Sequence, residues 1–166
     1  MTEMSKLLDR WLDWHVHYGT LLARSWTPDP APQAAIEAAM EKTGPWPPDL
    51  IDFYLWSDGC PYPLLPHGGW ISSLSRLKGA TNAGSPDFDN PNGWFDDTKN
   101  LLIHPQYPCT FVDLTGPTRG RVWRNDVGDV GFIANSLSEH FSSLLERAEA
   151  GEFSTVESDG HYLHRY

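Results

Sequence analysis

Two stretches of this chain decide its fold. The first, residues 28–59, reads PDPAPQAAIEAAMEKTGPWPPDLIDFYLWSDG, and the second, residues 111–153, reads FVDLTGPTRGRVWRNDVGDVGFIANSLSEHFSSLLERAEAGEF. The first predicts two short helices that meet at a Pro-Pro step, since proline suits the first turn of a helix. The second of these helices ends at Asp58-Gly59. The later stretch predicts a strand meander that leads into a capped helix, and neither stretch holds the parts of a catalytic site.

The hydrophobic pattern predicts helices at both ends of a strand region. Spacings of three and four predict a helix over 4–25 with an apolar face of Leu7, Trp11, Trp14, Tyr18 and Leu21. Further helices are predicted over 32–43 and from Pro47-Pro48 to Ser57, the latter apolar nearly all round and therefore buried. The last helix follows a capping box of Ser136 and Glu139, and its predicted inner face is Phe141, Leu144, Leu145 and Ala148.

Four short runs rich in β-branched and aromatic residues predict strands at 101–104, 109–114, 121–124 and 130–134. Their short connections favour an antiparallel meander. The run 70–77 fits either a strand or a strand leading into a helical turn, and the tail after residue 156 fits either a frayed end or one edge strand. The expected fold class is α+β, a single domain over residues 1–166 with a mostly antiparallel sheet flanked by helices. Core candidates are Leu50, Phe53, Tyr54, Val112, Leu114, Val122, Phe132 and Ile133.

The charge balance limits the kinds of partner. The chain has 22 acidic and 12 basic residues, for a formal net charge of −10. Such a chain repels phosphate backbones, which disfavours nucleic-acid binding, and it attracts basic partners. The first 19 residues hold no basic segment followed by an apolar stretch, and no run of 18 apolar residues occurs. We therefore expect a cytoplasmic protein without a membrane partner.

Both stretches resemble the SUKH superfamily, which includes yeast Smi/Knr-type cell-wall assembly regulators and many bacterial immunity proteins. In the first stretch the resemblance is carried by Ile36-Glu37, Glu41, Gly44, Pro47 to Leu50, Phe53-Tyr54 and Asp58-Gly59. In the second it is carried by Val112-Asp113-Leu114, Gly120-Arg121-Val122, Ile133 to Ser136, and Phe141 to Leu145. Residues 28–153 are covered best, and Pro105 and Pro108 depart from the usual turn of the family. The resemblance implies a SUKH-like fold and a binding role, and it assigns no catalytic residue.

The long polar segment between the two stretches is the first candidate for binding a partner. It carries paired acids and an aromatic residue, and two further acids flank a predicted hairpin turn; the candidates are Asp87, Asp89, Trp94, Asp96, Asp97, Asp126 and Asp129. These acids are read either as a contact surface for a basic protein or as solvated turn formers, and at Asp126 and Asp129 the turn interpretation is favoured. Trp70 and Trp123 are further aromatic candidates for a contact surface.

Catalytic and metal chemistry have little support in the sequence. There is no nucleophile elbow and no phosphate-binding glycine motif, and Ser136 is better explained as a helix cap than as a nucleophile beside His140. His15 and His17 are two apart on a helix and so point to different faces. Cys60 and Cys109 belong to no metal motif and are expected to be reduced and partly buried, although a disulfide between them stays open. We expect no metal and no cofactor.

The function expected from the sequence is therefore binding. The leading hypothesis is an immunity-type protein that neutralises a cognate, basic bacterial toxin by direct contact, and that is not an enzyme. The alternative is a regulatory scaffold of the cell-wall-regulator type. A small hydrolase that uses residues 84–99 is a third possibility, although a glycosidase would need two carboxylates held rigidly across a cleft.

Overall fold

Four helices and three antiparallel sheets make up the described part of the chain. The computed structural model describes residues 2–18, 25–65, 69–76, 100–104, 109–114, 116–126, 129–155 and 162–164. The helices are α1 Glu3–Tyr18, α2 Gln33–Thr43, α3 Pro48–Trp56 and α4 Leu137–Glu149. The α+β class predicted from the sequence is confirmed.

The largest sheet has four strands in the order β3-β4-β5-β6, each antiparallel to its neighbour. Its strands are β3 Asn100–His104, β4 Cys109–Asp113, β5 Val122–Asp126 and β6 Asp129–Ala134. Two separate hairpins complete the described strands: β1 Cys60–Leu65 with β2 Gly69–Ile71, and β7 Phe153–Thr155 with β8 Tyr162–His164. The predicted meander is confirmed in order and pairing.

Helix α3 lies at the centre of the main core, as its sequence predicts. Leu50, Phe53 and Tyr54 are buried, and the Phe53 ring stacks on Phe141 of α4 with ring centroids 5.9 Å apart. One side of α3 differs from the prediction, because Leu55 is 40% exposed. Helix α1 also packs against α3 and α4.

The buried face of α1 is rotated from the predicted one. The buried side chains are Met4, Leu8, Trp11, Trp14 and His15, whereas Leu7 is only half-buried. Tyr18, predicted on the apolar face, is 59% exposed, although its ring still stacks on Trp14. Leu21 lies outside the described residues. The Trp11 indole N–H donates to the Leu64 carbonyl at 2.9 Å, which ties α1 to β1 and fixes this rotation.

Strand β4 is buried on both faces. Val112 joins the main core together with Leu114, just past the strand, and with Val122 and Ala134 from β5 and β6. Cys109 and Phe111 alternate with Val112, so they lie on the opposite face, where Trp123 and Val130 pack beside them. The four-stranded sheet therefore carries a second, smaller apolar cluster on the face turned away from the main core.

The cap of α4 differs slightly from the predicted capping box. Ser136 Oγ accepts from the Glu139 N–H at 3.0 Å, as predicted. The Glu139 carboxylate instead accepts from both the backbone and the side-chain N–H groups of Asn135, at 2.8 and 3.0 Å. The predicted inner face of Phe141, Leu144, Leu145 and Ala148 is fully buried.

Two glycines hold backbone that other residues would strain. Gly59 has φ +80°, and a Cβ there would lie 2.5 Å from the Ser73 backbone nitrogen. Gly120 has φ +87° and lies against the ring of Pro47, so it joins the start of β5 to the α2–α3 connection. The Arg119 guanidinium donates to the Pro45 carbonyl at the same junction.

The segments that the sequence left open resolve as follows. Of the run 70–77, residues 70–76 are described, and they hold the end of β2 followed by a short 3-10 helix at Leu74–Arg76, which is the second of the two predicted options. Strand β1 was not predicted, and the tail contributes β8 to a hairpin with β7 rather than an edge to the main sheet. Cys60 and Cys109 are buried and form no disulfide. No helix in the described part of the chain is long and apolar enough to cross a membrane.

Candidate binding surfaces

Five of the seven candidate residues from the sequence lie outside the described residues. These are Asp87, Asp89, Trp94, Asp96 and Asp97. Asp126 and Asp129 end β5 and begin β6, where they pair directly across the ladder with two residues between them. Both acids therefore flank the connection between β5 and β6, as the sequence predicts.

The β5–β6 hairpin carries an exposed aromatic side chain that the sequence assigned to the core. Phe132 is 51% exposed, so its predicted core position is wrong, while Ile133 is half-buried. Trp123, predicted as a contact aromatic, is half-buried and meets Phe132 edge to face with ring centroids 5.6 Å apart. The Arg121 guanidinium lies 5.8 Å from the Phe132 ring centroid. We call Trp123, Val130 and Phe132 the hairpin patch.

A second candidate is a set of carboxylates on, or just before, α2 and α3. We define the acidic helix surface as Asp29, Glu37, Glu41 and Asp52, which precede or belong to α2 and α3. The first three side chains are exposed and Asp52 is half-buried. Within the described residues none of the four forms an ion pair, although Glu37 accepts from the Gln33 amide at 3.1 Å.

The other two acids of this region have structural roles. Asp49 Oδ2 accepts from the Ser138 N–H at 3.0 Å, and Asp58 Oδ1 accepts from the Leu74 N–H at 2.6 Å. Both carboxylates thereby satisfy backbone donors at the start of a helical segment. No such role is visible for Glu37 and Glu41, which are one helical turn apart and repel each other by about 0.2–0.5 kcal/mol. Glu37 and Glu41 therefore repel each other without satisfying a backbone donor, which is expected of carboxylates that bind positively charged side chains of a partner.

Leu55 gives this region an exposed apolar side chain. It lies three residues after Asp52 on α3, so the two occupy the same side of the helix. Its 40% exposure contrasts with the buried Leu50, Phe53 and Tyr54 of the same helix. An apolar side chain beside carboxylates is the arrangement of a contact anchor with a polar rim.

The negative charge is distributed unevenly along the chain. Residues 28–59 contain six acidic residues and one basic residue, whereas residues 109–134 contain three of each. The helical stretch therefore contributes much of the net charge of −10, and the segment 109–134 contributes none. The exposure of Glu37 and Glu41 could have been predicted from the sequence. The apolar face of α2 is narrow, so most of that helix must face solvent.

Two histidines are buried on the helices of the main core. Burial lowers the pKa of His15 to about 3. A hydrogen bond with the Leu64 backbone raises this pKa, but its effect is smaller than that of burial. Burial also lowers the pKa of His140 to about 4, and the nearby Arg147 charge adds to this effect. Both rings are neutral at pH 7, and the predicted separation of His15 from the exposed His17 is confirmed. Ser136 serves as the α4 cap, as predicted.

Potential metal ligands do not cluster in the described residues. Across those ranges no three His, Cys, Asp or Glu side chains converge in a way that could hold a metal ion. The chain matches no protein-family model and no curated protein.

Proposed function

We propose that this chain is a non-catalytic binding protein of the immunity type, which neutralises a cognate bacterial toxin by direct protein–protein contact in the cytoplasm. The observation that carries the proposal is the acidic helix surface, whose exposed carboxylates form no ion pair among the described residues. The partner that fits it is a basic protein, and a toxin that acts on nucleic acid would have that charge.

Charge supports the encounter step of this function. With a net charge of −10, and five units of excess negative charge in residues 28–59 alone, the protein attracts a basic partner over several ångströms. Such steering raises the association rate more than it slows dissociation. An inhibitor that must reach its toxin before the toxin reaches its substrate benefits directly from a fast association.

Tight binding also needs an apolar contact, since exposed charges alone contribute little. Leu55 is the exposed apolar side chain next to Asp52 and can supply such a contact. A few well-buried side chains usually carry most of the binding free energy of an interface, while charged residues at the rim set its specificity. The acidic helix surface together with Leu55 has both parts.

The resemblance of residues 28–59 and 111–153 to the SUKH superfamily supports the same role. Several residues that carry it have scaffold roles in this structure, among them the buried Phe53 and Tyr54, and Gly59 and Gly120 with their positive φ. Exposed residues of the same stretches, such as Glu37 and Glu41, are left available for a partner.

Co-expression with the product of the adjacent gene tests this proposal. The expected result is that cells expressing the adjacent product alone stop growing, that this chain restores growth, and that the two proteins purify as one complex. A stable complex without any toxicity to relieve would favour the regulatory scaffold instead. Restored growth without a complex, or no effect of this chain on a toxic neighbour, would count against the proposal.

A further inference from the structure

Among the strands that the structure describes, β6 is an edge of the four-stranded sheet. It follows β5 in the strand order, and within the described residues it pairs with β5 alone. An unpaired edge presents backbone N–H and C=O groups to any strand that approaches it. Natural edges are usually protected by charges, prolines or bulges, and Val130, Gly131 and Phe132 supply neither a charge nor a proline.

The register shows which backbone groups of β6 face outward. Asp126 and Asp129 are partners with two residues between them, which makes them a hydrogen-bonded pair. Hydrogen-bonded and non-hydrogen-bonded pairs alternate along an antiparallel ladder. Asn125–Val130 and Trp123–Phe132 are therefore non-hydrogen-bonded pairs, and the backbone groups of Val130 and Phe132 point away from β5.

The regular part of this edge is short. The register shifts between the Trp123–Phe132 and Val122–Ala134 pairs, so one extra residue, Ile133, bulges there. Only Val130–Phe132 is left as a straight edge, with Gly131 at its centre. Gly131 is exposed, and a Cβ built on it would meet no atom within 4 Å.

Neighbouring side chains restrict the positions of the side chains on this edge. The Phe132 ring is 51% exposed, yet its position is fixed by Trp123 on one side and by the Arg121 guanidinium on its face. Val130, two residues earlier, lies on the same face of the sheet and is half-buried. Fixing a side chain in advance lowers the entropy cost of burying it in an interface.

We propose that β6 is a self-association edge, at which two copies of this chain pair Val130–Phe132 antiparallel about a two-fold axis through Gly131. In this register Val130 of each copy lies opposite Phe132 of the other, and their outward backbone groups pair. Each exposed Phe132 ring then packs on a β-branched side chain, which is a favourable cross-strand pair. A two-fold interface must be self-complementary, and this short stretch satisfies that condition.

Electrostatics permit this pairing despite the net charge of −10. Residues 109–134 hold three acidic and three basic residues, so the sheet region itself is neutral. In the proposed register Asp129 of one copy lies opposite Ile133 of the other, which separates the two Asp129 residues by about 14 Å. That distance exceeds the screening length of about 8 Å at physiological salt. The acidic helix surface is not used, so this inference is independent of the proposed function.

Sedimentation equilibrium of the full chain, from about 1 to 500 μM, tests the proposal. We expect a reversible monomer–dimer equilibrium that Phe132→Lys weakens at least tenfold. The matched control is Leu55→Lys, which introduces the same charge at another exposed apolar site and should leave the dimer unchanged. A monomer at every concentration, or equal effects of the two variants, would overturn the proposal.

Cysteine cross-linking tests the axis itself. The open space around Gly131 admits the side chain of Gly131→Cys, and two such thiols would meet at the two-fold axis. We expect this variant to form a disulfide-linked dimer at least tenfold faster than Ser143→Cys, an exposed control on α4. Equal rates would contradict the proposed axis even if the protein dimerised, and unchanged circular dichroism would show that both variants fold.

Discussion

The Ser138 N–H donates to Asp49 Oδ2 at 3.0 Å, across 89 residues of chain. The bond joins the first turn of α3 to the first turn of α4, and so links the two stretches whose sequence patterns decide the fold. The carboxylate also lies at the positive end of the α4 dipole. The two stretches, residues 28–59 and 111–153, are therefore parts of one scaffold.

Removing this carboxylate should destabilise the fold. We expect Asp49→Ala to lower the free energy of unfolding by about 1–2 kcal/mol, because a charge-assisted hydrogen bond and a favourable dipole contact are lost. Urea unfolding followed by circular dichroism measures this. The control is Asp52→Ala on the same helix, for which a loss below about 0.5 kcal/mol is expected. Equal losses at the two positions would contradict the role given to Asp49.

The cap of α4 makes a separate contribution. We expect Ser136→Ala to cost about 1 kcal/mol, since the Glu139 N–H loses its acceptor. Ser143→Ala, at an exposed position inside the same helix, should be neutral or slightly stabilising because alanine is the better helix former. Urea unfolding measures both variants. An unchanged free energy of unfolding in Ser136→Ala would show that the cap does not stabilise the fold.

Gly59 should tolerate substitution least among the described glycines. A Cβ there would lie within 2.8 Å of the Ile71 carbonyl and closer still to the Ser73 nitrogen, in addition to the strain of a positive φ. We expect Gly59→Ala to cost more than about 3 kcal/mol, and Gly151→Ala only about 1 kcal/mol. Gly151 also has a positive φ but has open space around it, so the difference isolates the steric clash. Thermal unfolding of both variants, with Tm as the readout, makes the comparison.

The buried His140 predicts a stability that falls as the pH is lowered. Its pKa is about 4 in the folded protein and about 6.5 in the unfolded chain, so the unfolded chain takes up the proton first. The stability is complete above pH 6.5 and is lost progressively as the pH falls toward 4, by a few kcal/mol in total.

Urea unfolding between pH 5 and 7 reports on the two buried histidines, His15 and His140, since most carboxylates are still ionised there. His140→Gln removes one of two buried imidazoles and should reduce the pH dependence in this window by about half, because His15, whose pKa is lowered to about 3, contributes the rest. His17→Gln, at an exposed position on α1, is the control and should leave the slope unchanged. An unaltered slope in His140→Gln would show that another group is responsible.

The sequence predicts best those features that depend on a few neighbouring residues, such as a helix cap. Ser136 as a cap follows from backbone hydrogen bonding alone, and this prediction is confirmed. The predicted helix end at Asp58-Gly59 is too late, because α3 ends at Trp56 with Ser57 as its C-cap, and the positive φ of Gly59 serves its close approach to the backbone of residues 71–73. Strand β1 escaped prediction because its sequence, CPYPLL, contains two prolines that normally argue against a strand. It forms in a hairpin of only two strands, where proline is tolerated.

The candidate surfaces were harder to predict because they depend on tertiary packing. Phe132 and Val122 look alike in an apolar run, but a bulge and an edge position leave one exposed and the other buried. Leu55 and Leu50 differ in the same way on α3. Periodicity identifies which residues share a face, but it does not show whether another element covers that face.

The most direct test of the proposed function measures binding to the adjacent gene's product with a matched pair of charge variants. Glu37→Gln/Glu41→Gln and Asp13→Asn/Glu146→Gln each remove two exposed carboxylates, the first pair from the acidic helix surface and the second from α1 and α4. Surface plasmon resonance at 50 and 300 mM NaCl gives the rate constants. We predict a complex whose association is slowed several-fold by the first pair and by salt, and hardly by the second pair. No complex, or equal slowing by both pairs, would contradict it.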